Sequence, residues 1–118
     1  MQTLYERLGG AEGIAAIVDD LVDLHAANPR IAPRFADTDL DAAKKGAAAF
    51  LAMGTGGPAE YQGKDMLNTH KGMNIDADEF LAVLDDALEA MAKNNVAQRE
   101  QEEVLFAMYS MKGDILHV

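Results

Sequence analysis

Residues 11–27 read AEGIAAIVDDLVDLHAA, and Ile14, Ile17, Val18, Leu21, Val22 and Leu24 recur along them at intervals of three and four. That is the period of one apolar face of an α-helix, not the strict alternation of a half-buried strand. Asn28-Pro29 closes the stretch, because the residue before a proline is driven out of the helical region. The same spacing continues on both sides. Upstream, a short helix carries Leu4, Tyr5 and Leu8 to a break at Gly9-Gly10. Downstream, a turn with Ile31 and Phe35 leads to a helix starting near Thr38 or Asp39. It carries Leu40, Ala43, Ala47, Phe50 and Leu51 and ends in Gly54-Thr55-Gly56-Gly57-Pro58. Residues 59–75 read as loop, with one or two turns around Met66 to His70. Asp76 suits the cap of a long helix presenting Phe80, Val83, Leu84, Ala87, Leu88 and Met91. Asp78 and Glu79 then lie at the positive end of its dipole. Asn94-Asn95 closes that helix, and a last one over about 97–116 presents Val104, Leu105, Met108, Met111 and Ile115. No strand is needed. The expectation is an all-α chain in which residues 1–118 form a single domain.

Composition narrows the chemistry. The 118 residues hold 20 acids against 10 bases, a formal net charge of -10, which argues against nucleic acid because phosphate backbones are bound through clustered Lys and Arg. An anionic membrane surface is disfavoured for the same reason. Hydrophobic residues make up 49%, too many for a disordered acidic tail. The absence of Cys rules out thiolate catalysis, disulfides and Cys-ligated metals, and it fits a reducing, cytoplasmic setting. No apolar run approaches the roughly 20 residues that span a bilayer. The opening MQTLYERLGG lacks the basic start and apolar stretch of a secretory signal.

Few residues remain to carry a site. Asp37-Thr-Asp39-Leu-Asp41 starts like a calcium loop, but Ala42 stands where that loop needs Gly and Ala48 where it needs a bidentate Glu. Asn74-Ile-Asp76-Ala-Asp78 fails similarly, with Glu79 at the turn position. Both runs read as helix caps. The seven Met are scattered from Met1 to Met111, which suits core filling. Of three His, His117 is near the terminus and His25 falls one turn beyond Leu21 at a helix end. His70 lies in Met66-Leu-Asn-Thr-His70-Lys-Gly72, between a glycine-rich loop and a long apolar helix. That is the kind of segment in which ligands are found.

Four motifs combine in order: Leu4-Tyr5-Glu-Arg-Leu8-Gly9-Gly10; Asn28-Pro29-Arg-Ile-Ala-Pro33-Arg-Phe35; Phe50-Leu-Ala-Met-Gly-Thr-Gly56-Gly57-Pro58 with Tyr61; and His70-Lys-Gly72-Met-Asn-Ile75. Together they resemble a group I truncated haemoglobin across essentially the whole chain. The resemblance implies a two-over-two helical sandwich around one haem b. The helices near 11–27 and 39–53 form one pair, and the last two long helices the other. It makes His70 the proximal iron ligand, its second ring nitrogen donating to a carbonyl. Phe35 matches the aromatic packed on the porphyrin. Phe50, Met66, Ile75, Phe80, Val83 and Met108 fall where the family lines its cavity. Tyr61 and Lys44, with Lys45 or Lys64, are candidates for the propionates. The implied ligands are dioxygen, carbon monoxide and nitric oxide, with a separate reductase as partner if nitric oxide dioxygenation is the role. The chain is expected as a monomer or weak dimer. A haem-free helical interaction protein is the contrasting alternative, and peroxidase chemistry finds no visible acid or base.

The chain departs from the family on the distal side. Relatives typically place a Tyr, as ligand donor, where Leu21-Val22 stand here, and a Gln or other polar residue where Ala43 and Ala47 stand. With Leu51, these residues predict an apolar distal pocket. Gly46 stands where some relatives carry an endogenous distal ligand, and Met111 where some carry a His linked covalently to haem. A hydrogen bond to a charged group contributes roughly 1.5–3 kcal/mol, so the missing donor should weaken dioxygen affinity about 10- to 150-fold, with fast release. Carbon monoxide should be affected less. Stopped-flow release of dioxygen checks this, and slow, donor-stabilised release would overturn it.

Overall fold

The structure, a computed structural model, describes residues 2–58 and 66–118. Among the described residues six α-helices run in order: α1 Leu4–Arg7, α2 Gly10–Ala27, α3 Leu40–Gly54, α4 Met66–His70, α5 Ala77–Lys93 and α6 Gln98–Ser110. Single 3-10 turns occupy Ala32–Phe35 and Lys112–Asp114. No strand occurs among the described residues, apart from an isolated parallel bridge between Ile75 and Leu116.

Local chemistry explains the helix starts. Thr3 Oγ1 accepts from Glu6 N at 3.2 Å while the Glu6 carboxylate accepts from Thr3 N at 3.4 Å, so two otherwise orphaned N–H groups are satisfied together. Asp39 accepts from Ala42 N at 3.2 Å. Asp76 accepts from Glu79 N at 2.8 Å, with Glu79 returning the contact to Asp76 N at 3.4 Å. The two Asp-rich runs therefore serve as caps, each satisfying the amide three residues ahead.

The end of α6 differs from the expected 97–116. The helix stops at Ser110: residues 111–116 close local turns, and the last two residues bond to a different part of the chain. Gly72 N and Asn74 N donate to the Val118 carbonyl at 3.0 and 3.1 Å, and His117 N donates to the Ile75 carbonyl at 3.0 Å. The tail is thus zipped to the loop that follows α4, and Ile115 falls in the tail rather than on a helix.

Helix α2 packs on α3 and on α5, and α5 packs on α6. The result is a sandwich of two helix pairs joined mainly through α2 and α5. Ile14, Val18, Ala90 and Met91 are almost wholly buried at that junction. Two ion pairs fasten the edges. Arg7 of α1 donates to Glu103 and, at 2.9 Å, to Glu100, both on α6. Arg34 donates to Glu79 at 2.9 Å, pinning the 3-10 turn to the start of α5 and holding the Glu79 carboxyl below the usual carboxylate range. The α1–α2 corner depends on close backbone approach. A Cβ on Gly13 would stand 2.0 Å from the Leu8 carbonyl oxygen, which no side chain allows.

Gly13→Ala should therefore destabilise the fold by about 1–3 kcal/mol or more. Gly46 on α3 is the control, since a Cβ there meets nothing within 4 Å, and Gly46→Ala should gain about 0.5–1 kcal/mol. Denaturant unfolding midpoints of the two variants check both signs.

Candidate functional site

A cavity of about 490 Å³ lies within the sandwich, a size within the range of cofactor sites. Its wall draws on every long helix. Leu21 comes from α2; Ala43, Ala47, Phe50 and Leu51 come from α3; Phe80 and Val83 come from α5; Met108 comes from α6. Phe35 of the 3-10 turn, Met66 of α4 and Ile75 complete the residues that the sequence had marked for it. Apart from His25, Thr69 and His70, the lining side chains among the described residues are apolar.

His70, the last residue of α4, stands in that wall. Its Nδ1–H donates to the Met66 carbonyl at 2.8 Å. The bond fixes the tautomer, so Nε2 carries the lone pair and bonds to no other described residue. The tail holds the chain just beyond it through Gly72 and Asn74. An apolar cavity with an imidazole so oriented suits a flat, largely apolar metal macrocycle that takes a nitrogen ligand.

The family model for bacterial-like globins matches residues 3–117. The chain belongs to that family. Among its relatives is the group 1 truncated hemoglobin GlbN of Nostoc sp. (strain MUN 8820), 36% identical over 99% of both chains. The truncated hemoglobin of Tetrahymena pyriformis, solved in its Fe(III) form, superposes with a TM-score of 0.95 at 32% identity, over 99% of this chain and 100% of that one. The 2/2 hemoglobin of Synechococcus sp. PCC 7002, solved with covalently attached heme, gives 0.89 at 25% identity over 98% of each chain. This globin is thus a truncated haemoglobin with the two-over-two fold, and no helix among its described residues is long and apolar enough to cross a membrane.

Two of the marked residues stand apart from the cavity. Val22 faces the core between helices, 3% exposed, because one residue along a helix turns the side chain about 100° away from Leu21. The row that reaches the cavity is Ile17, Val18, Leu21 and then His25. Lys44 is turned to α2, its Nζ 2.7 Å from Asp19 and 3.0 Å from Asp23, and these carboxylates raise its pKa. Tyr61 lies outside the described residues, as does Lys64.

His25 is the polar wall residue that the sequence reading set aside. It is 8% exposed, and its Nδ1 lies 2.7 Å from Asp86 Oδ2. Asn28 Nδ2 donates to both Asp86 oxygens at 3.2 and 3.3 Å. The ring also sits 5.9 Å from that of Phe35. Burial lowers the His25 pKa, and the contact with Asp86 only partly offsets it. His25 is therefore neutral at pH 7 with Nδ1–H directed to the carboxylate. Two signals pointed to it. Position 25 is four beyond Leu21, and Asp86 is a carboxylate three residues after Val83 on an otherwise apolar helix face.

The lowered pKa has a definite sign for stability. The unfolded chain takes up this proton near pH 6.5, and folded His25 does so only at lower pH. The unfolded state then binds more protons in that window, so stability falls as pH drops below about 6.5. Glu79 and Glu103, whose carboxyls are lowered by their arginine partners, add to the loss only in the more acidic carboxylate range. Unfolding midpoints between pH 5 and 7 should show the first slope in the natural chain and its loss in His25→Leu.

Proposed function

We propose that this globin holds haem b in its central cavity, with His70 Nε2 as the axial ligand, and binds dioxygen and other diatomic gases reversibly. Haem-based gas binding belongs to the family. The residue roles rest on the geometry, and the single observation that carries them is the His70 imidazole locked to the Met66 carbonyl on an apolar wall. The haem, when bound, would supply the iron that binds the gas.

The protein's own residues do the rest. His70 donates Nδ1–H to a backbone carbonyl rather than a carboxylate, which orients the ring without lending it anionic character. Phe35, Phe50 and Phe80 give broad apolar faces for the macrocycle. On the α2 and α3 side, Leu21, Ala43, Ala47 and Leu51 exclude water and offer no hydrogen-bond donor. His25 does not replace the missing donor at pH 7, because its one ring proton is committed to Asp86. The reading is therefore of weakly retained dioxygen in a pocket that discriminates little by polarity.

Absorption spectra of the purified protein test the assignment. The natural chain should show a Soret band, and His70→Ala should lose the native ferric and ferrous spectra. Retention of those spectra in the variant would exclude His70 as the ligand. Because a bound group stabilises the state that binds it, haem loading should also raise the melting temperature of the natural chain.

A further inference from the structure

The cavity holds a second imidazole that gas binding does not use. His25 is nine-tenths buried in the cavity wall, backed by the equally buried Asp86, which Asn28 holds from the other side. Its Nε2 bonds to no described residue. No buried side-chain nitrogen or oxygen among the described residues lacks a partner, so Nε2 keeps accessible surface, and His25 lines the cavity. With Nδ1–H donated to Asp86, Nε2 presents a lone pair. An imidazole oriented by a carboxylate behind it is the arrangement of a general base, because the carboxylate stabilises the imidazolium that forms.

An apolar cavity admits neutral molecules far more readily than anions, since an unpaired charge is costly to bury. A weak acid HX, such as hydrogen cyanide or hydrogen sulfide, therefore enters as the neutral molecule. Its anion is the form that binds iron, and the proton needs an acceptor inside. We propose that His25 is that acceptor, so that this globin captures small protic ligands by splitting them between the iron and His25 Nε2. The H–X bond breaks with both electrons remaining on X, which is left as the anionic ligand. The proton forms the Nε2–H bond, and Asp86 compensates the imidazolium. No oxidant or reductant is involved.

The surroundings leave little else to do this work. Of the elements packed around His25, α5 brings the charged Asp86 and the 3-10 turn brings the ring of Phe35. The α3 wall is apolar, and α4 offers His70, already assigned to the iron, and Thr69. Asn28 also lines a polar surface cup with Arg30, Asp78 and Asp85, which puts Asp86 one side chain from water.

The inference rests on haem binding, and the test separates the two. Haem-loaded ferric protein is mixed with cyanide in a stopped-flow instrument, with carbon monoxide binding to the ferrous protein as the aprotic control. General-base assistance contributes typically 100-fold or more, so His25→Leu should slow cyanide association by about 100-fold while carbon monoxide association changes less than about threefold. In the natural chain the cyanide rate should fall as pH drops through the His25 titration, located by NMR of the imidazole. Asp86→Asn should weaken the base and give an intermediate rate. Equal slowing of cyanide and carbon monoxide would mean a steric role and would overturn the proposal, as would an unchanged cyanide rate. If His25→Leu does not fold, the natural chain's pH profile and Asp86→Asn decide alone, and a profile without the His25 step overturns it. A natural chain without a Soret band would instead remove the haem reading itself.

Discussion

The fold is organised around a large interior volume that its own side chains do not fill. A cavity of about 490 Å³ deprives its apolar wall of the packing contacts that a filled interior would supply. A bound macrocycle would act as part of the core, and the helices need independent fastenings to keep its walls in place. The capping boxes at Thr3 and Asp76, the ion pairs of Arg7 and Arg34, and the dense Ile14–Val18–Met91 junction supply them. The caps and ion pairs lie away from the cavity, whereas Val18 and Met91 of the junction also form part of its apolar wall.

The two cavity imidazoles show how one residue type is set to two tasks. Both donate from Nδ1 and keep Nε2 free, but the acceptors differ. His70 donates to a backbone carbonyl within its own helix turn, a neutral partner that orients the ring. His25 donates to a carboxylate on another helix, a charged partner that stabilises the protonated ring. Orientation suits a ligand, and charge compensation suits a base. Burial works against the second, and the balance leaves His25 neutral but ready to accept.

Much of the architecture is written locally. Asp39 and Asp76 announce their helices because a cap satisfies amides only two or three residues ahead. Helix α2 is legible from its apolar row, and α4 from the loop-bounded segment ending in His70. What escaped the sequence depends on distant partners. The path of the tail after α6 follows from hydrogen bonds of His117 and Val118 to Gly72, Asn74 and Ile75, some forty residues earlier. Lys44 looks free to reach a cofactor edge until Asp19 and Asp23 of the facing helix claim it. Val22 and His25 exchange expected places because a shift of a few residues around a helix decides which side chain meets the cavity and which the core.

The zipper between residues 116–118 and the loop after α4 carries a consequence for biogenesis. The ligand-bearing turn is made well before the segment that braces it. A ribosome must therefore release residues 116–118 before the ground beneath His70 is firm. Firm bracing of the His70 turn thereby waits on the emergence of a segment made more than forty residues later.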